Sequence, residues 1–216
     1  MSGLTELQRE VARILFGLAE AEGFALAGGS ALVALGIVDR QTRDIDAFVA
    51  ARTGSPPGDV GPLAVVFTTT LHALGWDVEV VRQHQTFVRL IASQNGDSIE
   101  VDLAVDVAPI FPVDVIHGVP TLSPQDLAAR KVLAILDRAE GRDFTDLWAL
   151  ARSHGRTDTV TWAQRLDPSI TLIQIAVAFD QLARLHDDEL PCASSDRSAV
   201  REWFAAWSEH LRAPPS

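Results

Sequence analysis

Two short stretches of the chain carry residues whose types and spacing suit phosphate and divalent-cation chemistry. Gly28-Gly29-Ser30 and Asp44-Ile45-Asp46 are separated by thirteen residues, and each adjoins an apolar run, Phe24 to Leu26 before the first and Ile45 to Val49 around the second. Carboxylates at i and i+2 on a strand project to one side, so Asp44 and Asp46 can grip the same Mg²⁺ ions. Mg²⁺ takes hard oxygen ligands, commonly one or two carboxylates completed by substrate phosphates. Gly28 and Gly29 let the backbone approach a triphosphate. The triplet also opens a predicted helix, Ala31 to Gly36, whose start favours anions, and the Ser30 hydroxyl adds a donor. Alone, a glycine-glycine-serine triplet reads as an ordinary strand-to-helix turn capped by Ser30. The acids downstream change that reading, because two unpaired anions in an apolar strand are costly until a cation neutralises them. The expected chemistry is nucleotidyl transfer from an NTP.

A two-metal site of this kind, with ions about 3.5–4 Å apart, wants a third carboxylate. Glu100-Val101-Asp102-Leu103 offers one, and Asp102 is preferred because it lies between two apolar residues. Arg40 and Arg43 stand just before the acidic pair, where they could contact phosphate or simply pair with acids. Lys131 is the only lysine among 18 basic residues. A compact ammonium and a planar guanidinium are not interchangeable against a single phosphate, so a lysine kept at one place suggests a pocket cut for it.

These residues need elements to position them. Leu4, Leu7, Val11, Ile14, Leu15 and Leu18 repeat at helical spacing and predict an N-terminal helix ending at Gly23. Strand, helix and the Asp-Ile-Asp strand follow, then a loop over Arg52 to Pro62 that could gate the site. A helix over Leu63 to Leu74 precedes strands over Trp76 to Val81, Thr86 to Ala92 and Ser98 to Val105, the last two joined by a turn at Gln94-Asn95-Gly96-Asp97. Ala108 to Pro120 reads as a proline-punctuated crossover. Beyond Ser123 only helices are predicted, over Pro124 to Arg138, Phe144 to Ser153, Ile170 to Leu185 and Ser198 to Leu211. Lys131 and Arg138 share one helical face, and Asp143 and Asp146 share another, so two facing helices would join lysine and acid. The fold class expected is α+β, a mixed sheet with helices followed by a helical half.

Composition bounds the rest. The chain has 216 residues, 47% apolar, one cysteine and a net charge of −11. A single cysteine excludes an intrachain disulfide and fits a reduced cytoplasm. No run of 18 apolar residues occurs, which argues against a spanning helix, and the six histidines lack metal-ligand spacing. Negative charge suits nucleic acid poorly, but residues 121–160 are balanced at six basic and six acidic side chains. An RNA end would therefore approach along Arg130, Lys131, Arg138, Arg142, Arg152 and Arg156. Trp148, Trp162, Trp203 and Trp207 read as packing residues.

The run from Phe24 to Leu32, Arg43-Asp44-Ile45-Asp46, Lys131 to Arg138, and Arg142-Asp143-Phe144-Thr145-Asp146-Leu147 resemble the AbiEii/AbiGii nucleotidyltransferase toxins of type IV toxin-antitoxin systems, relatives of mycobacterial tRNA-modifying toxins. The resemblance implies a polymerase beta-like nucleotidyltransferase core over residues 1–120 and a helical domain over 121–216 completing the active site. It implies that Ser30, Asp44 and Asp46 form the metal and triphosphate motif; the residues themselves lead us to expect the Gly28-Gly29 backbone and Arg43 beside the nucleotide. Lys131 would contact the triphosphate, and Asp146, with Asp143 as the other acid, would belong to the closing motif. Asp102 follows the wider superfamily pattern. Where the family often places a lysine before that motif, this chain has Arg142. The implied cofactor is Mg²⁺, two ions, with an NTP substrate; the implied partners are a tRNA acceptor and a cognate antitoxin. An aminoglycoside-type transferase and a catalytically silent binding module of the same fold are the alternatives.

Overall fold

A computed structural model describes residues 3–42, 44–50 and 58–213. The chain divides into two compact units, Met1–Ser123 and Pro124–Ser216.

The first unit opens with α1 (Glu6–Phe16), started by a capping box in which Thr5 and Gln8 satisfy each other's backbone N–H groups. Gly17, not Gly23, caps this helix; Gly23 instead takes φ +85° just before β1 (Phe24–Ala27). Then come α2 (Gly28–Ala34), β2 (Asp44–Ala50), α3 (Gly61–Ala73), β3 (Asp77–His84), β4 (Phe87–Gln94), β5 (Asp97–Asp106), β6 (Asp114–Ile116) and β7 (Val119–Thr121). Among the described residues seven strands form one sheet in the order β3-β4-β5-β2-β1-β7-β6. It is mixed: β2 runs parallel to β5 and β1 to β7, and the other neighbours are antiparallel.

The pleat sorts the side chains. Ile45 and Ala47 on β2, Val88, Leu90 and Ala92 on β4, and Ile99, Val101 and Leu103 on β5 are buried. Helix α3, which packs on β3 and β4 and against α1, adds Leu63, Ala64, Phe67 and Leu71 to the core. Each fully buried large apolar side chain contributes about 1.5–3 kcal/mol, enough to hold the register and keep the intervening acids on the other face. The turn between β4 and β5 is the expected one, with Asn95 at φ 55° and Gly96 at φ 89°.

The segment expected as a crossover holds the β6–β7 hairpin, turned by His117 (φ 52°) and Gly118 (φ 84°). Strands of three residues, one containing Pro120, are too short for alternation to show. They form because Thr121 pairs with Leu26 of β1. Of the expected gating loop, residues 52–57 lie outside the described residues.

The second unit is helical: α4 (Pro124–Asp137), α5 (Gly141–His154), α6 (Arg156–Leu166), α7 (Leu172–Phe179) and α8 (Arg197–Arg212). Helix α6 was not expected. Its three threonines, Asp158 and Val160 are weak helix formers, and tertiary burial of Thr159, Val160, Ala163 and Leu166 outweighs that weak propensity. The helix expected over Ile170 to Leu185 is shorter, α7 giving way to a 3₁₀ turn at Asp180–Arg184. Phe144, Phe179, Phe204 and Trp207 form an aromatic cluster, edge-to-face in the Phe144–Phe204 and Phe179–Phe204 pairs, with centroids 5.1 and 5.0 Å apart, and tilted where Trp207 meets Phe179 and Phe204. Of the four tryptophans only Trp207 is fully buried. Trp148 and Trp203 are half-buried beneath Arg152 and Arg156, and Trp162 meets His154 edge-on.

Candidate active site

Asp44 and Asp46 lie on β2 with the fully buried Ile45 between them, so the pleat places both carboxylates on one side of the sheet. On the flank facing β1, Asp46 stands opposite Ala27, the last residue before the glycines. Gly28 has φ +56°, and a Cβ built there would fall 1.8 Å from Asp46 Oδ2. Only glycine fits this place, on both conformational and steric grounds. At Gly29 a Cβ would meet the Arg40 guanidinium at 3.0 Å and Thr42 Oγ1 at 3.2 Å. The glycine pair is thus the reason that backbone, acid and arginine share so small a volume.

Ser30 is fully buried and its hydroxyl has a structural task. It donates to the Ala27 carbonyl at 3.0 Å and accepts from the Asp46 N–H at 3.3 Å, tying the β1–α2 turn to the acidic strand. Its single proton is spent there, so contact with a phosphate would require the hydroxyl to turn. Helix α2 has seven residues, so the helix dipole adds little beyond the turn's own N–H groups. Arg43 lies outside the described residues.

Two residues that sequence reasoning passed over support the first acid. Thr42 donates its hydroxyl to Asp44 Oδ1, and Gln8 donates to the Thr42 carbonyl at 2.7 Å. Gln8 is buried, and its Oε1 accepts from Thr5 N–H at 2.8 Å. The capping box of α1 therefore doubles as an anchor for the strand's approach. The pattern Thr5-x-x-Gln8 was readable as a cap; its second use depended on residues 34 positions apart meeting.

Across β5, Asp44 is paired in register with Glu100 and Asp46 with Asp102. Asp102 is buried, and both of its oxygens accept from Arg89 on β4, at 2.8 Å from Nε and 2.6 Å from Nη2. Nη2 also lies 3.3 Å from Glu100 Oε1. The hydrogen bonds that Arg89 donates to Asp102, opposed by burial and joined by the charges of Asp102, Glu100 and Asp44, hold the guanidinium well above its ordinary pKa. Asp102, read from sequence as a metal ligand, thus has a bidentate partner that sequence reasoning did not weigh. A cation approaching Asp102 competes with that partner.

The donor set of β2 fits a hard divalent ion. Asp44 and Asp46 present carboxylate oxygens, half-exposed, beside a turn where a side chain at residue 28 would collide with the second acid. Among the described residues no three acid, histidine or cysteine side chains converge as a ready cage.

In the second unit, α4 and α5 do bring lysine and acids together. Lys131 is buried, with Nζ 2.9 Å from Asp143 Oδ1 and 2.8 Å from Asp146 Oδ2. Arg138, seven residues on and just past the end of α4, adds Nε to Asp143 Oδ2 at 2.9 Å and Nη2 to Oδ1 at 3.1 Å. Both carboxylates are fully buried. Burial pushes the Asp143 carboxyl up, but the hydrogen bonds and charges of Arg138 and Lys131 outweigh it and hold the group below the usual carboxylate range. Gly141 starts α5 where a Cβ would lie 2.0 Å from the Glu189 carbonyl oxygen, so this helix start too requires glycine. Arg142 pairs with Glu140 at 2.8 Å. Arg152 and Arg156 lie over tryptophan rings, and Arg156 also donates to the Trp203 carbonyl. Much of the basic stripe expected for RNA is therefore engaged within its own unit.

A glycine turn pressed against an acidic strand of a mixed sheet is consistent with the nucleotidyltransferase class. More narrowly, the chain belongs to the family described as nucleotidyl transferase AbiEii toxin, Type IV TA system, whose sequence profile matches residues 13–213. Among solved structures it resembles JHP933 from Helicobacter pylori, at 16% identity and TM-score 0.56, over 96% of this chain and 93% of that one. It also resembles the antibiotic-resistance factor ANT(2'')-Ia, at 14% identity and TM-score 0.51, over 94% of this chain and 96% of that one. At these identities the likeness concerns the fold. No curated protein sequence matches the chain. Among the described residues no helix is long and apolar enough to cross a membrane.

Proposed function

We propose that the protein transfers a nucleoside monophosphate from an NTP to a hydroxyl acceptor, and that the acceptor is the 3′ end of tRNA. The observation that carries the transfer is the seating of the Gly28 backbone against Asp46 with Asp44 on the same side of β2. Asp44 and Asp46 would hold Mg²⁺, which when bound supplies charge stabilisation to the phosphates and a more nucleophilic acceptor oxygen. The acceptor oxygen bonds to the α-phosphorus, the bond to pyrophosphate breaks, and the hydroxyl proton passes to a carboxylate. Asp102 is the base available on the same sheet; Asp146 is the other candidate, on family resemblance. The backbone N–H groups at Gly28 and Gly29 face the charge that grows on the departing phosphates, and Ser30 keeps that turn fixed on Asp46. Resemblance and its standing as the lone lysine support a phosphate role for Lys131. Membership of a type IV toxin family supports growth inhibition through translation, a cytoplasmic site of action and a cognate antitoxin partner.

The net charge of −11 favours a second reading, a cationic small-molecule acceptor of the aminoglycoside kind. One experiment separates them. Purified protein with Mg²⁺ and each α-labelled NTP is offered total tRNA, an aminoglycoside panel, or neither. Label in tRNA is expected; label in the drug supports the second reading, and none anywhere supports a silent binding module. Asp46→Ala must abolish labelling while leaving the circular dichroism spectrum unchanged.

A further inference from the structure

The sheet face that carries Asp44 and Asp46 also carries a cation with no part in the chemistry above. Arg89 on β4 stands opposite Asp102, and Asp102 stands beside Asp46, so guanidinium, third acid and metal-binding acid occupy consecutive strands at one level. Bidentate pairing fixes geometry as well as charge. The guanidinium is steadied further by the Phe87 ring, 5.8 Å from its carbon, and by Glu100. A buried carboxylate gives up such a partner only for another cation.

Resting on the metal and nucleotide reading above, we propose that Arg89 is a positioning residue that withholds Asp102 from the divalent ions. The free protein then offers an ion Asp44 and Asp46 alone, and firm binding waits for the phosphates of the incoming nucleotide. Ion and NTP are thereby coupled, each raising the affinity for the other. Asp102, aimed by Arg89, is spared for the acceptor's proton.

The test measures Mn²⁺ binding by electron paramagnetic resonance, with the metal alone as probe. Arg89→Gln should tighten Mn²⁺ binding without nucleotide by about tenfold, because a unit charge a few ångströms from a divalent site is worth at least that near a protein surface. Arg89→Lys, which keeps the charge but loses the fork, should fall between. Arg89→Gln combined with Asp102→Asn should return to the wild-type affinity. Wild-type affinity in Arg89→Gln, or a gain that survives Asp102→Asn, overturns the proposal. A parallel arm adds α,β-methylene analogues of the four NTPs. Mn²⁺ uptake there that depends on Asp46 upholds the site reading even if Arg89 has no effect; no uptake with any analogue sinks the site reading and the proposal together.

Discussion

Gly28 and Asp46 adjoin so closely that the space of one excludes a side chain on the other: a methyl at residue 28 would fall 1.8 Å from Asp46 Oδ2 and 2.6 Å from its Cγ. Gly28→Ala must therefore move the acid or the turn, and φ +56° adds strain of about 1 kcal/mol. Nucleotidyl transfer should drop at least as far as in Asp46→Asn. Gly29→Ala, where the neighbours are the flexible tip of Arg40 and Thr42 Oγ1, should retain measurable activity. Equal activities for the two alanine variants would contradict the geometry.

Gln8 links the cap of α1 to the approach of β2 through Thr42. Gln8→Leu should lower stability by about 1–2 kcal/mol, the loss of a cap and a buried hydrogen bond. It should also lower kcat, because Thr42 then orients Asp44 less firmly. Thr5→Ala removes the cap alone and should cost stability without the matching fall in kcat. Steady-state kinetics beside urea unfolding of both variants distinguishes them.

Lys131 lies between two fully buried carboxylates. Lys131→Met withdraws the ammonium that both acids share, with Arg138 still on Asp143, and should cost up to about 3–5 kcal/mol, read as a lower urea midpoint. Adding Asp146→Asn should recover part of that loss. Lys131→Arg should not rescue, since a planar fork has different reach and needs more width than an ammonium. Full recovery by arginine would show that charge alone matters there.

Acid should weaken the second unit through Asp143. Its carboxyl titrates below the ordinary value when folded, so as pH falls the unfolded chain takes up the proton first. The stabilisation is complete above about pH 4, the ordinary carboxyl value, and is lost as pH falls through the lower folded value. Wild-type urea midpoints should decline below about pH 4. Asp143→Asn should start less stable at neutral pH and decline more shallowly; parallel curves for the two proteins would exclude this group as the source.

Much of this protein was determined locally. The pairing of a glycine turn with an acidic strand, the Asn95-Gly96 hairpin and the Pro124 helix start rest on residue spacing and on φ preferences that act within a few positions. The α4 and α5 faces that join Lys131 to Asp143 and Asp146 followed from helical periodicity alone. What only the tertiary structure decided are contacts made across strands or between distant segments. Pairing of β4 with β5 turned Asp102 towards Arg89, packing of α1 sent Gln8 to Thr42, and burial made a helix of residues 156–166. The Ser30 hydroxyl, read as a phosphate donor, was drawn to Ala27 and Asp46 once its surroundings excluded water. Spacing tells which residues share a face, but a charged or hydroxyl group takes whichever partner stands nearest in a dry environment, and that neighbour is chosen by the register of the whole sheet.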